Sequence, residues 1–206
     1  MYGFAEFFEV TDPISNTVTF VIVMPHLGET NLEKLLQLPQ TTQLIPLREW
    51  LNLFVRITLL VDAFHKNTSY MHDDIKPANI GLTVKFCEYG KWLVFTQGNI
   101  LDFGNAHHPD KLAMLGDKRY QPPEAFTSAK RTLKVDVFTL GKSFLEALSI
   151  IGNQFNSSPE DVPLSALNEL LARMTAPKPA DRPELSVVLN ELIHIIHNYD
   201  DVLSKL

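Results

Sequence analysis

The sequence of 206 residues predicts one domain of the α+β class, in which a few strands precede a mostly helical remainder. Near the start, a β-branched run from Val18 to Met24 and a shorter apolar run from Phe7 to Val10 are typical of strands. Apolar residues between Leu47 and about Asn67 recur at helical spacing, and the strongly apolar stretch 135–151 favours a central, buried helix. We therefore expect a small strand region followed by a larger helical part.

The predicted elements follow in this order along the chain. The two early runs form a hairpin, because the turn residues of TDPISN separate them. Asn31 caps a short helix that stops at Pro39, and Pro46 opens the long helix. Residues 79–102 return to a strand-like composition. Two amphipathic helices follow the central one, at 164–175 and 185–198.

Composition and charge exclude several classes of protein. Lys and Arg number 18 against 24 Asp and Glu, which argues against a nucleic-acid binder that works through a general basic surface. Cys87 is the one cysteine, so no internal disulfide forms and a reducing compartment is favoured. The most apolar long stretch, Leu51 to Phe64, is too short and too polar to span a bilayer, and the N-terminus lacks the pattern of a signal peptide. We expect a soluble intracellular domain, cytoplasmic or nuclear, without membrane or nucleic-acid partners.

Five short motifs occur in one order and at workable spacings. They are HDDIKPAN at 72–79, DFG at 102–104, RYQPPE at 119–124, DVFTLG at 136–141 and PADRP at 179–183. Each motif alone is weak, because an isolated aspartate is often a turn or helix-capping residue and an isolated lysine a surface residue. The five motifs together, in this order, are a strong signal.

The motifs resemble those of the eukaryotic-type protein kinase family. HDDIKPAN is similar to its catalytic loop, H-R-D-x-K-x-x-N, DFG to its metal-binding loop and PPE to its A-P-E motif. The resemblance runs from about residue 5 to about residue 197. It implies a protein-kinase-like fold, with a mostly helical C-terminal lobe at residues 28–206 and the remnant strands and hinge of an N-terminal lobe at residues 1–27.

The resemblance also implies an activity, the ATP-dependent transfer of a phosphoryl group to Ser or Thr of a protein substrate. Asp74 would accept the proton of the attacking hydroxyl, and Lys76 would contact the transferring phosphate. Asn79 and Asp102 would hold Mg²⁺, because this hard cation takes oxygen ligands beside the phosphates. The lysine at position 76 favours Ser/Thr over Tyr as the acceptor.

Further contacts are implied away from the phosphoryl group. Met24, His26 and Leu27 would form the hinge that contacts the nucleotide. Three other implied contacts are structural: a His72–Phe103 stack within a core spine, an Asp136 anchor for the catalytic loop and a buried Glu124–Arg182 ion pair.

The main departure from the family pattern is in the N-terminal lobe. No G-x-G-x-x-G occurs, and neither the strand lysine nor the helix glutamate of that lobe has a counterpart. Three alternatives stay open: a truncated gene model, a chain completed by a partner, or a catalytically inactive remnant. In the last case the lobe would be a pseudokinase-like binding module, and its partner would be a docking protein rather than a substrate. The oligomeric state stays open.

Two acidic residues also depart from the pattern. Asp73 stands where the family usually has the arginine that grips a phosphate on the activation loop, and an aspartate would repel one. Asp117 stands where Ser/Thr kinases usually have a threonine. We expect Asp117 to be able to pair with Lys76 while adding negative charge beside Asp74.

We predict that phosphorylation of Ser or Thr between Phe103 and Glu124 does not switch this protein on. The segment contains neither residue type, and Tyr120 is its only hydroxyl. Phosphosite mapping of the segment, combined with an activity assay, checks this. A phosphosite there that comes with a gain in activity would refute the prediction.

Overall fold

The structure is a computed structural model that describes residues 6–11, 18–23, 28–87, 90–109, 116–127, 130–152, 155 and 161–204. Five strands lie in these ranges: β1 Glu6–Thr11, β2 Val18–Val23, β3 Thr30–Asn31, β4 Ile80–Phe86 and β5 Leu93–Ile100. Six α-helices lie there too: α1 Leu32–Leu36, α2 Pro39–Thr42, α3 Leu47–Thr68, α4 Lys134–Ile151, α5 Asp161–Met174 and α6 Leu185–Leu203. None of these helices is long and apolar enough to cross a membrane. The predicted order of elements is confirmed: early strands, helices up to residue 68, strands again within residues 79–102, and then mostly helices.

The strands form two antiparallel sheets. β1 pairs with β2 in the register Phe7↔Ile22, so the predicted early hairpin is confirmed. The second sheet has the order β3-β4-β5, and its antiparallel strands β4 and β5 lie in the stretch 79–102 where the sequence predicts strands. Its register shifts between Thr83 and Val84, which pair with Gln97 and Phe95. The shift is a β-bulge, a feature that bends a strand and increases its twist.

The long helix α3 begins and ends close to the predicted bounds. Pro46 precedes its first turn, and Ser69 ends it in the left-handed conformation, with φ 59° and its N–H bonded to His65 O at 2.8 Å. Asn31 caps α1 by accepting a hydrogen bond from Lys34 N at 2.9 Å, as expected. Pro39, which the sequence treats as a stop, instead opens the short helix α2, because proline is tolerated in a first helical turn.

Helix α4 lies at the centre of the helical part. Twelve of its residues are buried, and its Phe144 ring stacks on Phe54 of α3 with centroids 4.1 Å apart. A Cβ on Gly141 would lie only 2.8 Å from the Cβ of Met174, so this glycine allows α5 to approach α4 closely. The central position predicted for residues 135–151 is confirmed.

The buried pair Glu124–Arg182 joins the turn at Pro123–Phe126 to the segment before α6. Arg182 donates to the two Glu124 carboxylate oxygens at 2.6 and 2.8 Å. Its remaining donors reach three backbone carbonyls, those of Lys134, Ala176 and Pro177. Because all five guanidinium N–H groups are used, the charge is buried without an unsatisfied donor. The ion pair that the resemblance implies is confirmed.

We expect Glu124→Gln to lower the free energy of unfolding by about 3–5 kcal/mol, because it leaves a buried guanidinium without its counterion. Glu191→Gln is the matched control, since Glu191 pairs with Arg173 at the surface and should lose less than about 1 kcal/mol. Urea unfolding of both variants measures the difference. Equal losses would contradict the assignment of a stabilising role to the buried pair.

Candidate functional site

The loop between α3 and β4 takes its shape from one buried carboxylate. Asp136, in the first turn of α4, accepts the backbone N–H of His72 at 2.7 Å and that of Asp73 at 2.9 Å. The same carboxylate lies 2.8 Å from His65 Nε2, on the last turns of α3. The expected anchoring of the loop by Asp136 is confirmed, and His65 is a third contact that the sequence analysis did not find.

Three of the candidate site residues meet at the carboxylate of Asp74. Its Oδ2 accepts from Lys76 Nζ at 2.9 Å and from Asn79 Nδ2 at 3.2 Å. Asn79 Nδ2 also donates to the backbone oxygen of Asp74 at 2.9 Å, and Asp117 N donates to Asp74 Oδ1 at 2.9 Å. Asp74 and Asn79 are buried, whereas Lys76 is partly exposed. The geometry fixes the carboxylate in one orientation.

Asp102 is linked to this cluster by the backbone of the preceding residue, Leu101. The N–H of Leu101 donates to Asn79 O at 2.9 Å, and the oxygen of Leu101 lies 3.0 Å from His72 Nε2. Asp102 itself is left-handed, with φ 60°, and its exposed carboxylate accepts from Gly104 N at 3.2 Å. No hydrogen bond within the described ranges joins this carboxylate to Asp74, Lys76 or Asn79.

The expected stack of His72 and Phe103 has a different environment from the one predicted. The two rings are in contact, with centroids 4.8 Å apart, and Phe64 of α3 contacts Phe103 at 5.2 Å. Phe103 is nevertheless 47% exposed, so it lies at the rim of the core rather than inside it. It borders an open, mostly apolar recess lined by Leu60, Val61, Phe64, His72, Asn99, Ile100 and Phe103.

The bonded partner of the Asp117 carboxylate is Arg119 and not Lys76, with which the sequence analysis expected that it could pair. The carboxylate of Asp117 binds Arg119, with Nη2 at 2.7 Å from Oδ2 and Nε within hydrogen-bond distance. This hydrogen bond holds the pKa of Asp117 below its usual value. Asp117 binds Arg119 rather than Lys76 because the guanidinium of Arg119 offers two donors to the carboxylate from the same turn. The charge of Asp117 is therefore compensated, and the residue contributes its N–H to Asp74.

Asp73 is buried and paired rather than exposed to an incoming phosphate. Arg131 donates to its carboxylate, and Gln121 Nε2 donates to its backbone oxygen at 2.7 Å. Burial raises the pKa of Asp73, while the hydrogen bond from Arg131 opposes that rise. The sequence analysis identifies neither Gln121 nor Arg131 as a partner of Asp73. Gln121 lies in the RYQPPE motif, but nothing there marks this contact across 48 positions, and Arg131 lies outside the five motifs, 58 positions from Asp73. The hinge residues Met24, His26 and Leu27 lie outside the described residues.

The donor set suits a hard cation beside a phosphoryl group. Asn79 uses its amide nitrogen on Asp74, so its amide oxygen takes no part in these bonds. Asp102 supplies a carboxylate from the neighbouring strand end. Oxygen ligands of these two types are those that Mg²⁺ takes next to substrate phosphates. The residues present therefore fit a magnesium site.

Comparison with known proteins gives consistent results along the chain. Residues 5–200 match the sequence profile described as the protein kinase domain. The chain is 32% identical, over 153 residues, to the Caenorhabditis elegans "membrane-associated tyrosine- and threonine-specific cdc2-inhibitory kinase wee-1.3", covering 71% of this chain and 21% of that protein.

Two further relatives are more distant. The Bos taurus "eukaryotic translation initiation factor 2-alpha kinase 3" is 27% identical over 204 residues, which is 88% of this chain and 18% of that protein. The Toxoplasma gondii "bradyzoite pseudokinase 1" is 27% identical over 92 residues, 42% of this chain and 24% of that protein. The chain thus spans between 18% and 24% of the length of these three relatives.

We expect Asp136→Asn to lower the free energy of unfolding by about 3 kcal/mol. The amide NH₂ group would replace one carboxylate oxygen, and it cannot accept the hydrogen bond that a backbone N–H now donates to that oxygen. The backbone N–H groups of His72 and Asp73 should also exchange faster with solvent. Ser143→Ala, equally buried on α4 with one bond to Thr139 O, should cost only about 1 kcal/mol. Unfolding curves and amide hydrogen exchange measure both effects, and unchanged exchange at His72 and Asp73 would contradict the anchoring role.

Proposed function

Because the chain belongs to the protein kinase family, we propose that it transfers the γ-phosphoryl group of ATP to a Ser or Thr hydroxyl of a protein. Members of this family act on proteins and use ATP with Mg²⁺. The observation that carries the proposal is the single hydrogen-bonded cluster of Asp74, Lys76 and Asn79. Phosphoryl transfer depends mainly on positioning and on charge neutralisation, and this cluster is preorganised for both.

Asp74 is the proposed base. A carboxylate that accepts the proton of an attacking hydroxyl must be held in one orientation within reach of it. The N–H of Asp117 and the side chains of Lys76 and Asn79 supply that restraint on both carboxylate oxygens. The compensation of Asp117 by Arg119 keeps a second free negative charge away from the base.

The other candidate residues are proposed to hold the phosphates. Lys76 contacts the transferring phosphate from beside Asp74, and its part-exposed ammonium group can reach a ligand. Asn79 and Asp102 hold the magnesium ion, which would neutralise phosphate charge when bound. Met24, His26 and Leu27 contact the nucleotide from a hinge that ends the segment 1–27, ahead of the lobe at 28–206.

The acceptor hydroxyl is proposed to be Ser or Thr because of the lysine at position 76. The nematode relative is named for tyrosine and threonine specificity, so tyrosine peptides belong in the same assay. A second candidate function is an inactive binding module that docks a protein partner. Its support is the similarity to the Toxoplasma pseudokinase.

We expect the full chain to bind ATP only with Mg²⁺, and Asp102→Ala to abolish that binding, because the substitution removes a metal ligand. Isothermal titration calorimetry measures both. Asp181→Ala, at an exposed aspartate in a single turn far along the chain, is the control and should bind as the unaltered chain does. Asp74→Asn should still bind Mg-ATP but transfer phosphate about 10²–10⁴-fold more slowly, since it removes the base.

Two results would overturn parts of this proposal. If Asp102→Ala still binds Mg-ATP, Asp102 is not a ligand of the metal. If the unaltered chain is folded and binds no Mg-ATP, the proposed kinase activity is contradicted and the docking module is favoured.

A further inference from the structure

Asp73 is a buried acid in an unusual backbone conformation, directly before the proposed base. Its side chain has no exposure to solvent, and its φ is 64°. Residues other than glycine rarely take a left-handed conformation, and where one does the surrounding structure must hold it. Part of that restraint is the bond from Asp73 N to Asp136 at 2.9 Å. The rest comes from residues further along the chain.

Gln121 and Arg131 close a ring of contacts around Asp73. Gln121 Nε2 donates to the Asp73 backbone oxygen at 2.7 Å, and Arg131 Nη2 donates to Gln121 Oε1 at 3.1 Å. Arg131 Nη2 also donates to the Asp73 carboxylate. The ring therefore ties three separate segments together: the loop that carries Asp74, the segment 116–122 and the segment that precedes α4.

The segment 116–122 is docked on the loop at a second point next to this ring. A Cβ on Gly116 would lie 2.5 Å from Asp73 O and 2.6 Å from Asp74 Oδ1, so the two backbones are as close as glycine permits. One residue later, Asp117 N donates to Asp74 Oδ1 at 2.9 Å. A shift of this segment would therefore release one of the restraints on the proposed base.

The charge balance at Asp73 depends on Arg131. The other charged or titratable groups that face Asp73 are the buried carboxylate of Asp136 and the ring of His107, whose Nδ1 lies 3.9 Å away. His107 Nδ1 is 2.7 Å from Asn105 O, so this nitrogen is engaged elsewhere. Without Arg131, the buried carboxylate of Asp73 would lose its guanidinium partner while the carboxylate of Asp136 still repels it, and Gln121 Oε1 would lose the donor that joins it to the ring.

We infer that Arg131 is a positioning residue, which keeps the segment 116–122 docked on the Asp74 loop by neutralising Asp73 from inside the protein. Asp73 lies on the loop and Arg131 lies on the segment before α4. The ion pair between them therefore docks the segment 116–122 without any added phosphate. The consequence for phosphoryl transfer rests on the proposed function, whereas the docking itself does not.

Amide hydrogen exchange tests the docking without any activity. Arg131→Gln should speed exchange of the Asp117 amide at least tenfold. Arg48→Gln is the matched control, because Arg48 forms a two-contact pair with Asp200 at the surface, and it should leave that amide unchanged. Unchanged protection of Asp117 in Arg131→Gln would overturn the inference.

A double variant keeps the test decisive if Arg131→Gln does not fold. Asp73→Asn combined with Arg131→Gln removes both charges and leaves amides that can still bond, so it should fold and keep exchange of the Asp117 amide close to that of the unaltered chain. A double variant that does not fold, or that loses protection of the Asp117 amide, would overturn the inference.

Kinetics distinguish positioning from a purely structural role. Arg131→Gln should lower kcat by about 10²-fold, the cost of a small misplacement at a reacting centre, with Mg-ATP affinity nearly unchanged. An unchanged kcat together with faster exchange would overturn the positioning role. If the unaltered chain transfers no phosphate, the proposed function fails, and the exchange experiment still decides the docking.

Discussion

The carboxylate of Asp136 is the interaction on which the rest of the site depends. It is fully buried at the start of the central helix. It accepts hydrogen bonds from the N–H groups of His72 and Asp73 and contacts the ring of His65. Desolvating a carboxylate is costly, and hydrogen bonds to a charged acceptor in a low-dielectric interior are correspondingly strong. The loop that carries Asp74 is thus held on the helical core, because any other path would leave this charge without its donors.

Two acidic residues near the proposed base, Asp117 and Asp73, are each compensated by an arginine from the same chain. Asp117 binds Arg119 at the surface, and Asp73 binds Arg131 in the interior. Both acids depart from the pattern that the family resemblance implies, and both would add negative charge beside Asp74 if they stood alone. Both acids also position their neighbours through backbone groups. The N–H of Asp117 donates a hydrogen bond to Asp74, and the backbone oxygen of Asp73 accepts one from Gln121.

Backbone strain is concentrated around the same site. Among the described residues, the non-glycine positions with positive φ are Ser69, Asp73 and Asp102, and all three lie in or beside the site loops. Ser69 ends α3, Asp73 precedes the base, and Asp102 carries the carboxylate that is proposed to bind metal. Such conformations persist only where surrounding contacts hold them, and they cluster at functional sites. For Asp73 those contacts are the ones that Asp136, Gln121 and Arg131 provide.

The sequence by itself determined the order of strands and helices, the cap at Asn31 and the residues of the site motifs, because local spacing and propensity encode them. It also determined the Glu124–Arg182 pair, through the family resemblance. Only the tertiary structure decided that His65, Gln121 and Arg131 support the site, since these contacts join residues 71, 48 and 58 positions apart from their partners, where no local pattern exists. It also decided between Arg119 and Lys76 as the partner of Asp117, a competition that depends on how the folded turn directs each side chain.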